Sequence, residues 1–300
     1  MTIHSYRGRF APSPTGELHF GTLLAAVGSY LQARSRHGEW LLRIEDVDTT
    51  RRVPGAADAL LSALEGFGFE WDGEVVYQSQ RTELYESALA VLAEKGLIYP
   101  CTCSRKQLAE ENPDHRPPGV YGGRCRRRHL PVREAHALRL RVAERLIGFD
   151  DPVMGHYQQQ LARECGDFII KRKDKLFAYQ LAVVVDDAEQ GVTEVVRGVD
   201  LLDSTPRQIY LQQQLGYSRP DYLHLPLLVD THGHKLGKST GAAALDLSQP
   251  VLFLHSALKL LGQKPPEELA RSSLSQLWQW AIEHWDYQRI PKENRYLNPH

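Results

Sequence analysis

A short stretch near the N-terminus has residues suited to holding a nucleotide phosphate. Residues 9–22 read Arg-Phe-Ala-Pro-Ser-Pro-Thr-Gly-Glu-Leu-His-Phe-Gly-Thr, between a β-prone run and an apolar helical pattern that begins at Leu23. This order predicts a strand, a loop and a helix whose N–H groups and positive dipole end face the loop. Gly16 and Gly21 allow a ligand to approach the backbone closely. His19 can donate to an anionic oxygen at the helix start.

A second candidate phosphate site is a cationic loop far along the chain. It spans His234–Ser239, where Lys235 and Lys238 stand three residues apart around Gly237. Such a loop suits a polyphosphate, because glycine leaves the backbone flexible and two ammonium groups oppose the phosphate charge. Taken alone, the first stretch could be an ordinary strand-to-helix connection and this loop a solvated turn, since short motifs match by chance. Their occurrence in one chain favours a nucleotide site.

Carboxylates come directly after a predicted strand. The strand is the apolar run Trp40–Ile44, and Glu45, Asp46 and Asp48 follow it. Ligands of open parallel sheets sit beyond the carboxyl ends of the strands, so carboxylates at this point are expected in the site. Glu45 is the natural partner for a substrate ammonium. Asp46 and Asp48 could instead cap the next helix, a role we expect for one of them.

Three cysteines lie close together in a region rich in proline and glycine. They are Cys101, Cys103 and Cys125, and a disulfide is not expected between them in a cytosolic chain. Thiolates at this spacing select zinc, which takes four ligands when it is structural. The residues alone leave the fourth ligand open among His115, His129, Tyr121 and a water. The competing interpretation is that these three cysteines are buried thiols without a metal. The fourth cysteine, Cys165, lies outside the cluster and is interpreted as a core thiol.

The elements expected to position these residues follow from apolar periodicity. The predicted strands are Ile3–Phe10, Trp40–Ile44, Asp167–Lys171, Thr193–Gly198 and Leu225–Val229. The predicted helices are Gly21–Arg36, Ala56–Phe67, Arg81–Lys95, Leu201–Leu215, Val251–Leu261 and Leu274–His284. A further apolar run, Phe177–Asp187, is closed by two carboxylates. Strands that alternate with helices predict an α/β fold.

Composition restricts the class of protein. With 300 residues, of which 42% are hydrophobic, the chain is globular and large enough for one α/β domain or two smaller ones. It has no long apolar run or N-terminal signal pattern, so we expect a soluble, cytoplasmic protein without a membrane segment. The formal net charge of −1 neither indicates nor excludes nucleic acid binding. Two basic patches, at 124–133 and 171–175, are either solvated surface or RNA contacts.

The two phosphate-binding motifs together resemble the paired signatures of class I aminoacyl-tRNA synthetases. Residues 9–21 are similar to the glutamyl branch of that family, as are the strand that ends in Arg43-Ile44-Glu45-Asp46 and the stretch 167–200. The likeness covers nearly the whole chain. One departure is Leu236-Gly237, where the family usually has Met-Ser or Leu-Ser. The glycine should make the empty loop more mobile.

The resemblance implies roles for the site residues. The glutamate-binding residues would be Arg9, Phe10, Ala11, Pro12, Ser13, Glu45, Tyr179 and Arg197. The ATP-binding residues would be His19, Gly21, Lys235 and Lys238, of which His19 and Lys238 would be catalytic, with Mg²⁺ accompanying ATP. Arg9 and Arg197 can each present a fork to a carboxylate, and Tyr179 a neutral hydrogen bond. Two arginines and one glutamate fit an amino acid with two carboxylates and one ammonium. This charge count favours glutamate over neutral amino acids. It does not separate glutamate from aspartate, which differ in side-chain length and therefore in the distance between their carboxylates.

The resemblance also implies a ligand set for the metal. Related glutamylating enzymes without an anticodon domain are expected to use Cys-x-Cys, Tyr and Cys, which here are Cys101, Cys103, Tyr121 and Cys125, around one structural Zn²⁺. Its binding free energy, on the order of 10 kcal/mol, would fold an arm that has few apolar residues. The arginines around Cys125 would then face an RNA stem.

The expected organisation is a Rossmann-like class I synthetase catalytic domain, α/β with a parallel sheet, that contains an inserted module. We expect its first half at 1–97, a zinc-binding, acceptor-type module at 98–165, and the second half with the lysine loop at 166–240. A short helical segment, 241–300, would follow. An anticodon-reading domain generally needs on the order of 100 residues, so none is expected there.

The implied reaction follows from this shortened form of the family. It resembles a branch that activates L-glutamate with ATP and transfers it to queuosine in the anticodon loop of tRNA(Asp). The expected partners are ATP, L-glutamate and this tRNA, with the protein as a monomer. Three alternatives remain open. They are charging of a tRNA 3′ end, an RNA-independent adenylyltransferase acting on a small acid, and a non-catalytic tRNA-binding paralogue.

Overall fold

The computed structural model describes residues 5–110, 120–128, 130–131, 136–230 and 245–296. The α-helices of this part of the chain are α1 (Phe20–Arg34), α2 (Ala56–Gly66), α3 (Thr82–Glu94), α4 (Arg105–Glu110), α5 (Leu161–Glu164), α6 (Tyr179–Glu189), α7 (Thr205–Leu215), α8 (Pro250–Leu260) and α9 (Leu274–His284). Short 3₁₀ helices lie at Thr49–Arg51, Gln78–Gln80, Arg124–Arg127, Val199–Ser204, Glu267–Arg271 and Tyr287–Arg289.

The strands are mostly short. They are β1 (Arg7–Phe10), β2 (Glu39–Ile44), β3 (Val76–Tyr77), β4 (Ile98–Cys101), β5 (Ala137–Leu140), β6 (Leu146–Asp151), β7 (Gly155–Gln160), β8 (Ile169–Lys171), β9 (Glu194–Gly198), β10 (Asp221–Leu225), β11 (Leu228–Val229) and β12 (Arg295–Tyr296). Within the described residues, no helix has the length and apolar character needed to cross a membrane.

Parallel strands form the centre of the molecule. β2 pairs in parallel with β1 and β3, and β9 pairs in parallel with β10. The two sets meet where the backbone N–H of Thr193 donates to the carbonyl of Arg7 at 2.9 Å. α1 packs on β1 and β9. It also comes close to β10 because residue 28 is glycine, since a Cβ there would lie 2.5 Å from Leu225 Cδ1.

Antiparallel strands fill the region between α3 and α6. β5 lies between β4 and β8, and β6 and β7 form a hairpin. Because β8 pairs with β5, this sheet extends beyond residue 165. The first strand of the hairpin contacts α7 and β10. The inserted region is therefore packed directly against the second half of the parallel part.

Two large apolar clusters hold these layers together. The first is built from α1, β1 and β2 and includes the C-terminal helices α8 and α9. In it, Trp278 of α9 donates its indole N–H to the carbonyl of Phe67 at 2.9 Å, so this tryptophan is a packing residue. The second cluster is centred on α3, α6 and α7, and Cys165 packs at its edge as the sequence predicts.

Most of the predicted elements are confirmed, with ends that mostly shift by one or two residues. The larger shifts are at β1, which begins at Arg7, and at α7, which begins at Thr205 after a 3₁₀ helix, each four residues after the predicted start. The predicted strand Leu225–Val229 is wrong in part. β10 ends at Leu225, and Leu228–Val229 is a separate strand that pairs with Arg295–Tyr296. The reason is Pro226, which has no N–H to continue the ladder. The apolar run that begins at Phe177 is largely helical, because Tyr179–Glu189 forms α6.

Candidate active site

A cavity of about 500 Å³ opens where β1, β2, β9 and β10 end. Ten residues predicted from the sequence line it: Arg9, Phe10, Ala11, Pro12, Ser13, His19, Gly21, Glu45, Tyr179 and Arg197. They come from both halves of the parallel part, whose strand ends converge at one edge as open sheets require. Lys235 and Lys238 lie outside the described residues.

His19 occupies the N-cap of α1, at the edge of this cavity. Its Nδ1 accepts from the backbone N–H of Thr22 at 3.3 Å, and its Nε2 lies 2.9 Å from Thr22 Oγ1. The cap fixes the ring at the helix end where the backbone N–H groups and the helix dipole favour an anion. The structure therefore places His19 where a phosphate could be bound.

Arg9 of β1 and Arg43 of β2 share one carboxylate behind the cavity. Asp187 of α6 accepts from Arg9 Nε at 3.1 Å and from Arg43 Nη2 at 2.7 Å. The three side chains are at most 6% exposed. Burial alone would raise the pKa of Asp187, but the two guanidinium groups outweigh it and hold that pKa below its ordinary value. The carboxylate stays charged and fixes the orientation of both arginines.

Glu45 supplies negative charge at the wall of the cavity. Its backbone N–H donates to the carbonyl of Pro12 at 2.9 Å, which ties the end of β2 to the first loop. Its Oε1 lies 3.4 Å from Arg43 Nη2, and its side chain is 10% exposed. Burial raises the pKa of Glu45, against the opposing charge of Arg43. A cationic ligand beside this carboxylate would stabilise its charged form.

Arg197 of β9 supplies positive charge on the opposite side. Its Nη1 donates to Gln208 Oε1 at 2.8 Å, and its Nη2 donates to Thr205 Oγ1 at 2.7 Å. Longer contacts of 3.4 Å reach Tyr179 Oη and the carbonyl of Leu201. These acceptors are all neutral, so they orient the guanidinium without balancing its charge. An anionic ligand in the cavity would add negative charge beside this guanidinium.

Comparisons with known proteins identify the family of this chain. The family of class I tRNA synthetases (E and Q), catalytic domain, matches residues 5–273. The chain belongs to this family of synthetases. It is 53% identical over 296 residues to Glutamyl-Q tRNA(Asp) synthetase of Dechloromonas aromatica (strain RCB), with 98% of each chain covered. It is 54% identical over 288 residues to the protein of that name in Pseudomonas aeruginosa (strain PAO1), with 96% of each chain covered.

Two solved structures show the same synthetase fold. One is a glutamate-tRNA synthetase from Elizabethkingia anophelis, with a TM-score of 0.82, 25% identity, and 99% of this chain and 68% of that chain covered. The other, a glutamate tRNA ligase from Elizabethkingia meningosepticum in complex with its amino acid, has a TM-score of 0.82, 25% identity and coverages of 98% and 67%. The predicted α/β fold of a class I synthetase is thereby confirmed.

The synthetase fold carries a second candidate site in its inserted region. The Sγ atoms of Cys101, Cys103 and Cys125 all lie within 4.8 Å of one another. Tyr121 Oη lies 3.7 Å from Cys101 Sγ and 3.8 Å from Cys103 Sγ. In a tetrahedral zinc site, with Zn–S bonds of about 2.3 Å, neighbouring sulfur atoms are about 3.8 Å apart. The donor set therefore fits one metal ion. His115 and His129 lie outside the described residues.

Local contacts favour a thiolate at Cys125, whereas burial and the neighbouring thiols raise the pKa of Cys103. Burial opposes ionisation of Cys125, but hydrogen bonds from the Thr102 backbone and from Tyr121 lower the pKa of its thiol. Arg139 donates from Nε to Cys101 Sγ at 3.2 Å and lies over the Tyr121 ring, 3.8 Å from its centroid. A buried guanidinium against the cluster favours negative charge on the sulfur atoms.

Glycine fixes the position of Tyr121 in this cluster. The backbone of Tyr121 forms a β-bridge with Gly166, whose φ is +68°. A Cβ at residue 166 would lie only 2.4 Å from the Tyr121 carbonyl oxygen. The close approach requires glycine, both for space and for the positive φ. Tyr121 is thus held beside the thiols by the return of the chain after the hairpin.

Sequence reasoning missed the charged residues that lie behind the amino-acid cavity. Besides Arg43 and Asp187, these include Asp186, which accepts from Arg81, Gln78 and Tyr85 at 2.6–2.8 Å. They also include Asp151 and His224, both fully buried. The available signal was a charged residue inside an apolar run, as in Leu41-Leu42-Arg43-Ile44. Such a residue must be paired, although the sequence does not show with what.

Proposed function

We propose that this synthetase activates L-glutamate with ATP and transfers it to queuosine in the anticodon loop of tRNA(Asp). The observation that supports this most directly is the charge arrangement of the cavity. Arg9 and Arg197 are positive, Glu45 is negative, and Tyr179 adds a neutral hydroxyl whose pKa is raised by burial. Arg51 and Asp200 also line the cavity, and their opposite charges leave this balance unchanged. Together they complement two carboxylates and one ammonium. The transfer to queuosine in tRNA(Asp) is supported by the name of the relatives, which match over nearly their whole length.

In the proposed reaction, the α-carboxylate of glutamate attacks the α-phosphate of ATP in line and releases pyrophosphate. The protein contributes positioning and charge stabilisation. His19 and the start of α1 stabilise the α-phosphate, with Gly21 at the cavity wall. Lys235 and Lys238, assigned from the sequence, hold the remaining phosphates. Mg²⁺ bound to ATP would neutralise further phosphate charge. Phe10, Ala11, Pro12 and Ser13 form the first wall of the glutamate site.

The proposed metal is one structural Zn²⁺ held by Cys101, Cys103, Tyr121 and Cys125. Thiolates select zinc, and four protein ligands leave no open position for chemistry. The apolar cluster around these residues is small, since Tyr99 is the only other buried hydrophobic member among the described residues. The metal would therefore supply folding free energy to the inserted region. Its role in the reaction would be indirect, through the surface that this region presents.

A second cavity supports the RNA partner. It has a volume of about 690 Å³ and is lined by Tyr121 and the two glycines that follow it. Four arginines line it: Arg126, Arg127, Arg141 and Arg163. Its lining carboxylates are Glu144 and Asp167, and Asp167 is buried and accepts from Tyr99 at 2.6 Å. The excess of guanidinium groups suits RNA phosphates.

We also propose that the enzyme works in the cytoplasm, where its proposed tRNA substrate is found, and that it works as a monomer.

The decisive experiment offers labelled glutamate and ATP with tRNA(Asp) that carries or lacks queuosine. We expect label on the queuosine-containing tRNA alone. In a second sample, periodate first blocks the ribose at the 3′ end, and queuosine is introduced afterwards. We expect this tRNA to be labelled as well. Label at the 3′ end would favour ordinary charging. Glutamyl-adenylate without transfer to any RNA would favour an adenylyltransferase. Absence of ATP–pyrophosphate exchange with any amino acid would favour a non-catalytic tRNA-binding protein.

A further inference from the structure

One buried hydrogen-bonded pair, Asp151 and His224, links the inserted hairpin to the amino-acid cavity. Asp151 is the last residue of β6, and His224 lies in β10. Asp151 Oδ2 lies 2.7 Å from His224 Nδ1 and accepts from the His224 backbone N–H at 2.8 Å. Both side chains are 0% exposed. A pair this deeply buried must be fully hydrogen-bonded, because unpaired polar groups there are costly.

The contacts of Asp151 decide which nitrogen of the imidazole carries the proton. Its other oxygen, Oδ1, accepts from the backbone N–H groups of Val153 and Met154, both at 2.8 Å. With three backbone N–H groups already directed at its two oxygens, the carboxylate acts only as an acceptor, as an ionised group does. His224 Nδ1 must therefore be the donor. This leaves the lone pair of a neutral imidazole on Nε2.

The Nε2 lone pair faces Arg197. The distance from Arg197 Nε to His224 Nε2 is 3.2 Å, and Thr205 Oγ1 lies 3.3 Å from the same nitrogen. Burial and the neighbouring Arg197 charge lower the pKa of His224, against the opposing effect of Asp151. The ring is thus neutral and accepts the Nε–H of the guanidinium. That bond directs the Nη end of Arg197 along the cavity wall.

We propose that His224, held by Asp151, is a positioning residue for glutamate: it orients Arg197, whose charge the cavity presents to a substrate carboxylate. The inference deepens the proposed function and rests on it. Through this chain of side chains, the hairpin of the inserted region is connected to the amino-acid site: Asp151 contacts His224, and His224 contacts Arg197. No substrate contact is assigned to His224 itself.

A packing role is the competing explanation. The His224 ring lies 6.0 Å from the Phe149 ring and 6.4 Å from the Tyr222 ring, centroid to centroid. Loss of ring packing would lower stability and affect all substrates alike. Two variants separate these roles, because asparagine places an amide near the Nδ1 position and glutamine places one near the Nε2 position. Both remove the ring.

The test compares His224→Asn with His224→Gln in glutamate-dependent ATP–pyrophosphate exchange. We expect His224→Asn to raise the KM for glutamate about 10-fold or more, the effect of losing one hydrogen bond to a charged group. The KM for ATP should stay unchanged. His224→Gln should restore the glutamate KM to within about threefold of wild type, because its amide oxygen can accept from Arg197. Thermal unfolding should show similar losses for both.

A second readout does not depend on the reaction. With ¹⁵N-labelled arginine, the Nε–H resonance of Arg197, assigned by its loss in Arg197→Lys, should be protected from exchange in wild type and His224→Gln and unprotected in His224→Asn. Equal glutamate KM values for both variants, or equal protection in both, would overturn the proposal. A wild-type protein without glutamate-dependent exchange would overturn the proposed function, and the resonance would still decide whether His224 orients Arg197.

Discussion

The amino-acid cavity and the cysteine cluster both hold ionisable groups away from water, but they stabilise these groups in different ways. Behind the cavity, Arg9 and Arg43 are balanced by Asp187 and supported by two large apolar clusters. The cysteine cluster has a small apolar surrounding, and its thiols lie against one another with Cys103 Sγ 3.4 Å from Cys125 Sγ. In the parallel part, Arg9 and Arg43 thus have a carboxylate partner within the protein, whereas the clustered thiols form a candidate site for a metal cation.

The largest expected effect comes from breaking the ion network behind the cavity. Arg43 is fully buried and contacts Asp187, Asp186 and Glu45. Arg43→Met keeps much of the volume but leaves these carboxylates with less positive charge. Removing one partner of a buried ion network costs about 3–5 kcal/mol. Urea unfolding should show a loss of this size in the free energy of unfolding.

The matched control is Arg289→Met. Arg289 is half exposed, and among the described residues its ion pair is with Asp286, the N-cap of its own short helix, at 3.2 Å. Exposed pairs contribute little, so this variant should change the free energy of unfolding by less than about 0.5 kcal/mol. A loss below about 1 kcal/mol for Arg43→Met would contradict the view that the parallel part depends on its own counter-ions.

The next effect sharpens the cavity side of the comparison. Glu45→Gln keeps the shape of the side chain and removes the charge proposed to bind the substrate ammonium. The kcat/KM for glutamate in ATP–pyrophosphate exchange should fall about 100-fold, because a charge-assisted contact is lost and Arg43 loses part of its counter-charge. The KM for ATP should change little. Similar losses for both substrates would show that Glu45 acts through the fold.

Sequence reasoning found the cavity because its residues follow strand ends in recognisable motifs. Glu45 comes directly after β2, and His19 comes directly before α1. The apolar periodicity of strands and helices, and the residue types typical of turns, predict where such elements end without knowledge of the tertiary structure. The partners behind the cavity could not be found in this way. Arg43 and Asp187 are 144 residues apart, and Asp151 and His224 are 73 residues apart. Only the packing of α6, the hairpin and β10 brings them together.

The cysteine cluster shows the same division between site residues and their supporting contacts. Cys101 and Cys103 are two residues apart in the sequence, and a loop can bring Cys125 back to them, so the cluster could be predicted from spacing. The supporting contacts could not. Arg139 reaches Cys101 from β5, and Gly166 holds Tyr121 from a segment after the hairpin. Both depend on strand pairing that a single sequence does not specify.

Removing the proposed metal separates the two regions directly. Chelation, or Cys101→Ser, should loosen the segment 98–130 and reduce glutamate transfer to tRNA about 10-fold or more, while ATP–pyrophosphate exchange changes much less. Hydrogen exchange measured by mass spectrometry would locate the loosened segment. Cys165→Ser is the control, because Cys165 lies outside the cluster and packs at the edge of the second apolar core. Equal loss of activation and transfer would count against a separate role for the cluster.

The smallest effect tests whether the inserted region presents its charge to RNA. Arg127 is exposed and lines the arginine-rich cavity next to Cys125. Arg127→Gln should weaken tRNA(Asp) binding a few-fold and lower the slope of log affinity against log salt by about 1, as expected for one lost phosphate contact. Exchange with glutamate alone should remain at the wild-type rate. Arg271→Gln, in the short C-terminal 3₁₀ helix, removes the same exposed charge far along the chain and should leave the salt slope unchanged. If both variants shift the slope equally, the effect comes from net charge and the cavity has no specific part in RNA binding.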